Sequence, residues 1–346
     1  MGVWYASRED VKSALDSKET ARNNVQIDRS LESGSRSIES LMKRVFYPIV
    51  ATRYFAYPND QYARPWSLWL DNDELISVTS LVSGGTTLTS GQYYLEPNNV
   101  GPPYNRVEIN LSSTAGFNVG NTFQRNIAIT GLFGYDNVTA AAGTLAEALD
   151  ASETGVDVSD SYSIGVGDLI TIDSERMLVT DKQMLTSGQT LQTPITASAA
   201  DVTIAVTTGS AFTVGETILL DSERMLIVDI SGNNLTVKRA WDGSVLATHT
   251  GSTIYAPRTL VVVRGYAGTT AATHNSSTAI VKQVYPGPIR TLCIAEAVNT
   301  LQQEGSAYAS TVGAGENARP ASGAGLDGLR EQTYANFGRR ARIRAV

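Results

Sequence analysis

The sequence predicts an α+β multidomain fold: a helical bundle from the N- and C-terminal segments, with an antiparallel β-domain and a nested pair of duplicated small β-domains inserted between them. Three observations predict it. Apolar residues recur at helical spacing near both ends of the 346-residue chain. Short β-rich runs separated by Gly, Asn and Asp turns fill the middle. Within that middle one pattern occurs twice. Its front half, residues 166–178, returns at 214–226 with nine of thirteen positions identical, including an unbroken Asp-Ser-Glu-Arg-Met-Leu. Its back half, residues 235–253, returns at 260–278 with nine of nineteen identical. The order front, front, back, back places one copy inside the other.

Taken in order, Ser7-Arg8-Glu9-Asp10 resembles a capping box before a short helix carrying Val11, Ala14 and Leu15. A longer helix is expected over residues 20–44, where Ile27, Leu31, Ile38, Leu41 and Met42 form one apolar stripe. Pro48 ends it, because a residue before proline is pushed out of the α region. Strands are expected at 52–57, 67–70, 75–81, 92–95, 106–111 and 126–135, giving a first antiparallel β-domain. Residues 140–149 read as a short Ala-rich helix or linker. In the inner repeat copy, residues 227–234 join front to back as a strand end and a Gly/Asn hairpin turn. In the outer copy the whole inner copy replaces that turn, so Asp181 and Arg258 should lie close in space. Lengthening a turn to about 75 residues costs roughly 2.5 kcal/mol for a floppy insert, and less for one that folds with adjacent ends. Pro286-Gly287-Pro288 then breaks the sheet, and residues 289–304 form a helix. Residues 305–325 read as a flexible Gly/Ala/Ser segment, 328–337 as a last short helix, and the end as a basic tail. The expected divisions are a helical base (1–52), the β-domain (53–139), the outer repeat front (140–181), the inner repeat (182–257), the outer repeat back (258–283), and the C-terminal helices and tail (284–346).

Composition narrows the function classes. A net charge of −7 argues against a general nucleic-acid binder, which shows a basic face. One cysteine, Cys293, excludes a disulfide framework, and with two histidines a Cys/His zinc site is not credible. There is no early signal-like run and no membrane-length apolar stretch, so the expectation is a protein made in the cytoplasm with no membrane contact.

The candidate sites read as architecture. Asp173-Ser174-Glu175-Arg176 and Asp221-Ser222-Glu223-Arg224 suggest carboxylate chemistry, but flanking apolar triplets favour tight turns in which Asp and Ser bond the backbone. Two acids two residues apart are also too few ligands for calcium. His249 and His274 occupy equivalent positions with no nucleophile beside them, which suggests hydrogen bonds that pin a turn. Arg239 and Arg264 read as structural salt bridges or partner contacts. Asp71-Asn72-Asp73-Glu74 lacks the Gly and later Glu of an EF-hand, and no phosphate-binding glycine loop occurs. No catalytic residue, cofactor or metal site is expected. The arginines of the tail, Arg339, Arg340, Arg342 and Arg344, would give a DNA-binding salt slope of only about −3.6 and better suit an acidic protein surface.

Several motifs resemble one family. Residues 5–11 (Tyr-Ala-Ser-Arg-Glu-Asp-Val), 27–33 (Ile-Asp-Arg-Ser-Leu-Glu-Ser) and 41–48 (Leu-Met-Lys-Arg-Val-Phe-Tyr-Pro) resemble tailed-bacteriophage head-to-tail connector proteins. The motifs at 75–79, 93–97, 101–104 and 130–135 look like the β-portion of long forms from phages of actinobacteria. The repeat, with Arg-Gly-Tyr-Ala-Gly-Thr-Thr-Ala-Ala-Thr-His, is similar to modules of phage structural proteins. The resemblance implies a non-enzymatic ring subunit, typically dodecameric, at the neck of the virion. Its implied partners are the portal protein, a downstream head-completion, stopper or tail protein, further copies of itself, and the passing genomic DNA without sequence-specific binding. Residues Arg339, Arg340, Arg342, Ile343 and Arg344 match the segment that reaches along the portal. The alternative is a tail-associated or decoration protein whose β-modules bind a host-surface glycan. A cell-wall hydrolase lacks a catalytic constellation.

Overall fold

The computed structural model describes residues 2–15, 24–58, 64–305, 311–312, 319–320 and 325–339. They are of mixed α+β class, with four α-helices and several antiparallel sheets among the described residues. The chain divides into two compact units.

One unit comprises Glu39–Val138, Ala267–Thr269 and Phe337–Val346. Its strands are β1 (Ile49–Phe55), β2 (Ser67–Trp69), β3 (Leu75–Ser83), β4 (Thr86–Leu88), β5 (Tyr93–Glu96), β6 (Arg106–Ile109) and β7 (Ile127–Phe133). They form two antiparallel sheets, ordered β1-β7-β3-β4 and β2-β6-β5. Strand β7 shows why: Ile127, Ile129, Gly131 and Phe133 alternate inward along it. With Leu68, Leu81 and Val107, the residues Ile127, Ile129 and Phe133 join a single core.

The other unit comprises Met1–Ile38, Thr139–Tyr266 and Thr270–Asn336. Its strands are β8 (Thr139–Thr144), β9 (Gly155–Asp157), β10 (Leu169–Ile172), β11 (Glu175–Thr190), β12 (Thr203–Ala205), β13 (Thr217–Leu220), β14 (Glu223–Ser231), β15 (Asn234–Lys238), β16 (Thr253–Val263) and β17 (Ala279–Gln283). One antiparallel sheet runs β12-β15-β14-β13-β16-β11-β10-β17-β8, and β9 pairs with β16. The long strands β11 and β16 divide this sheet into two equivalent modules. The outer reads β9, end of β16, start of β11, β10, β17, β8; the inner reads β12, β15, β14, β13, start of β16, end of β11. Each module curls so that its last strand bonds back towards its first, through Ala146 N–H to Asp157 O (2.8 Å) and Gln192 N–H to Ala205 O (2.9 Å). Each also has its own core. Leu145, Leu149, Val156, Ile170 and Met177 in the outer match Leu191, Ile195, Ile204, Ile218 and Met225 in the inner.

Asp181 pairs with Val261, and Gln183 with Thr259, so Asp181 and Arg258 lie on paired strands of one ribbon but not opposite each other. Both strands continue through this point, with register shifts after Val179 and after Gln183. Residues 140–149, expected as an Ala-rich helix or linker, are instead strand β8 and a bridged loop. Helix propensity loses here because β17 offers backbone partners to Thr139, Ala140, Ala141 and Thr144, with a register shift between Ala141 and Thr144. Strand β8 is the counterpart of the end of β11, so the duplication starts near Thr144 and Thr190. That is well upstream of the stretch where identity reveals it.

Helix α1 (Arg8–Ala14) carries the expected capping box between Ser7 and Asp10. Helices α2 (Asn24–Met42), α3 (Gly287–Gly305) and α4 (Leu326–Phe337) follow. Within the second unit, α2 and α3 approach closely at Gly34, where a Cβ would lie 3.2 Å from that of Glu296. Arg290 of α3 pairs with Asp10 (2.6 Å), Arg330 of α4 with the buried Glu296 (2.6 Å), and Arg29 with Glu304 (2.8 Å). No helix among the described residues is long and apolar enough to cross a membrane.

Candidate functional site

The most concentrated chemistry lies at the duplicated Asp-Ser-Glu-Arg. Its first two residues form the turn of the β10–β11 and β13–β14 hairpins, with Asp173 and Asp221 left-handed at φ 51° and 50°. This is a conformation that Asp tolerates better than most residues. The turn is shorter than expected, because Glu175 and Glu223 already begin strands β11 and β14 and their side chains point inward, fully buried.

Each glutamate is a hub. Glu223 accepts from Arg239 Nε (2.8 Å) and Nη2 (2.8 Å), from the Ala240 and Ala247 amides (2.9 Å each), and from His249 Nε2 (3.0 Å). Glu175 repeats the set with Arg264 Nε (2.7 Å) and Nη2 (2.8 Å), the Gly265 and Ala272 amides (2.9 Å each), and His274 Nε2 (2.9 Å). The aspartates bond the histidines rather than backbone: Asp221 and Asp173 each lie 2.7 Å from an Nδ1. Both ring nitrogens therefore face carboxylate oxygens. The arginines spend their remaining donors on backbone carbonyls, at Thr196, Asp201 and Ala247 in one copy and Asp150, Glu153 and Ala272 in the other. Burial pushes the Glu175 and Glu223 carboxyls up, but these bonds outweigh it and hold both at about 2.

Such a hub is chemically closed. Every glutamate oxygen and histidine nitrogen is spent, leaving no lone pair aimed at a substrate. No group of three or more His, Cys, Asp or Glu residues is placed to hold a metal among the described residues. The expectations that Arg239 and Arg264 make salt bridges and that the histidines pin turns match these contacts. The central role of the glutamates was missed; the signal was their place in the longest identical run.

A second built feature is the turn at residues 165–168, a ledge that carries the N-terminal segment. Trp4 N–H donates to Gly167 O (3.3 Å), Arg8 N–H to Val166 O (3.1 Å), and Val166 N–H to Glu9 Oε2 (2.9 Å). Gly167 has φ 99°, and a Cβ there would sit 2.2 Å from the Trp4 ring. Arg8 reaches on to Asp181 (3.0 Å) and Asp28 (2.7 Å).

In the other unit a cleft of about 280 Å³ is lined by Glu39, Lys43, Arg44, Arg53, Asp73 and Glu74. Its charges cancel: Arg44 pairs with Glu74 at 2.9 Å and Arg53 with Asp73. Of the predicted tail residues, Arg339 donates its N–H to Met42 O (3.0 Å). Arg340, Arg342, Ile343 and Arg344 lie outside the described residues. No protein-family model, curated protein or solved structure matches this chain.

Proposed function

We propose that the chain is a structural subunit of a phage head-to-tail adaptor. It assembles as a ring, docks on the portal, and connects the capsid vertex to the tail as part of the DNA conduit. The observation that carries this reading is the joining of the two chain ends: α1 pairs with α3 through Asp10 and Arg290, and α3 with α4 through Glu296 and Arg330. On this reading they make a common helical base, from which the β-domain and the nested pair of modules project as insertions. The motifs at residues 5–11, 27–33 and 41–48 lie on or beside α1 and α2. The closed hubs support a non-enzymatic role, because their acids and bases are consumed in holding loops. A net charge of −7 suits a conduit, since like charge keeps passing DNA from adhering. Residues 339–346 are the proposed portal-contacting arm, with backbone pairing and arginine ion pairs as its means of attachment.

The test uses the full chain and purified portal. The expected result is a ring co-sedimenting with the portal and visible at its exit, with binding lost when residues 340–346 are removed. A chain that stays monomeric with portal, and particle assembly indifferent to that deletion, would sink the proposal. Binding to host envelopes that survives the deletion and vanishes without residues 164–282 would favour a glycan-binding decoration protein instead.

A further inference from the structure

Because the modules are duplicates, a surface occupied in one can be compared with the same surface in the other. The ledge at Gly165-Val166-Gly167-Asp168 recurs in the inner module as Thr213-Val214-Gly215-Glu216. Its backbone is the same. Gly167 N–H bonds Val179 O (2.9 Å) and Val179 N–H bonds Asp168 O (3.0 Å); Gly215 N–H bonds Ile227 O (2.8 Å) and Ile227 N–H bonds Glu216 O (3.0 Å). Both glycines are left-handed, at φ 99° and 91°.

The occupancy differs. On the outer ledge the segment from Val3 to Glu9 covers Val166 and leaves it 1% exposed, whereas Val214 is 45% exposed. Asp181, which accepts from Arg8, has its counterpart in Asp229, two positions past Ile227 as Asp181 is two past Val179. Asp229 is exposed, and its side chain has no hydrogen bond or ion pair among the described residues. Beside it Val228 is 38% exposed. The ring subsite at Gly215 holds only Tyr162, 2.2 Å from where a Cβ would be, and that ring is itself 58% exposed. Trp4 on the outer ledge is 1% exposed.

We propose that the inner ledge is a docking site for an extended segment of a partner protein presenting an aromatic ring and, four residues on, an arginine: the chemistry of Trp4 and Arg8. The incoming ring displaces Tyr162 from Gly215. Its neighbours cover Val214 and Val228, and its guanidinium pairs with Asp229. One difference sets specificity. Lys182, which meets Glu9 at 3.3 Å on the outer ledge, is replaced by Ile230, so an acid after the arginine finds no cation at this position and an apolar residue there is favoured but not required. This inference stands apart from the adaptor reading, since it concerns one module face whatever the chain assembles into.

A synthetic peptide of residues 2–15, labelled at its C-terminal end, is titrated into the full chain. Saturable one-to-one binding is expected. Asp229→Asn weakens it about tenfold, the loss of one charge-assisted contact, and Val214→Glu abolishes it. Tyr162→Ala tightens it several-fold by removing the competing ring, an effect in the opposite direction from a merely structural loss. Peptides lacking Trp4 or Arg8 bind more weakly. Binding indifferent to Asp229→Asn and Val214→Glu would place the peptide on the outer ledge and overturn the proposal. So would no saturation at millimolar peptide. Self-association of the chain that Asp229→Asn abolishes would assign the ledge to a second copy and overturn the partner-protein assignment.

Discussion

Replacing Glu223 with glutamine tests whether the hub holds the inner module together. One carboxylate oxygen accepts from Arg239 Nε and the Ala240 amide; the other accepts from Arg239 Nη2, the Ala247 amide and His249. Glutamine turns one of these oxygens into an NH2 group, so two or three donors then face a donor. The Arg239 side chain, 2% exposed, also loses its counter-charge. An orphaned buried donor costs about 1–3 kcal/mol, and breaking one side of a buried ion pair costs about 3–5 kcal/mol. These figures describe overlapping losses, so about 4 kcal/mol is expected rather than their sum. Native-state hydrogen exchange read by mass spectrometry checks it. The most protected amides between residues 191 and 254 should lose that much opening free energy. Those of β10 and β17 should hold, because the two cores share no residue. Glu175→Gln should give the converse pattern. A loss below about 1 kcal/mol, or an equal loss in both modules, would refute the reasoning.

Acid should act on the same groups. Glu175 and Glu223 are held at about 2 against an ordinary 4.5, so their contribution is fully present above about pH 4.5 and is lost as pH falls towards 2. The linked stability is about 3 kcal/mol per module, measurable as the acid limb of unfolding, and Glu223→Gln should remove that limb from the inner module only. Alanine at the two ledge glycines should separate them. Both substitutions place a Cβ at left-handed φ, costing about 1 kcal/mol. At Gly167 the clash is with buried Trp4, adding about 1–3 kcal/mol, while at Gly215 the exposed Tyr162 can swing away. Thermal unfolding of the two variants reads the difference. Burial pushes the Cys293 thiol up to about 11, so a disulfide reagent at pH 8 should react with it only once the chain is unfolded.

Much of the architecture was legible because the relevant forces are local. The capping box at Ser7 and Asp10, the apolar stripe through Ile27, Leu31 and Ile38, and the alternation of β7 are each set within a few residues of sequence. The hairpin turn at Gly232-Asn233 joins β14 to β15 as the Gly/Asn pair predicted. Strand β8 was not legible. Its Ala-Ala-Ala-Gly run has no strand alternation, and its pairing partner β17 lies far along the chain. The hubs were half legible: repetition marked Glu, Arg and His, but only the fold shows that one carboxylate collects them all. The N-terminal segment on the outer ledge gave no sequence signal, since what receives Trp4 there is a glycine and its backbone carbonyl.

The hubs also explain how a module can be opened to admit another without losing its loops. The inner module enters and leaves through β11 and β16, which stay paired across the junction, so its ends are adjacent and the loop-closure cost of a floppy insert largely disappears. What nesting does remove is the short β-turn that would tie front to back in the outer copy. The loop carrying Arg264 to His274 is held by its hub, as the inner counterpart is held by the same hub with the turn intact. It contains left-handed residues at Gly265, Ala267 and Gly268, as its counterpart does at Ala240, Asp242 and Gly243, a conformation unfavourable for alanine. An apolar residue in place of Glu175 would fill the same volume but take away the carboxylate that meets the Gly265 and Ala272 amides, Arg264 Nε and Nη2, and His274 Nε2. A buried ion pair adds little net stability over a well-packed apolar core. Its value here is conformational: five donors converge on one carboxylate only when the loop adopts this one path, so the hub specifies the loop in each copy, with the turn or without it.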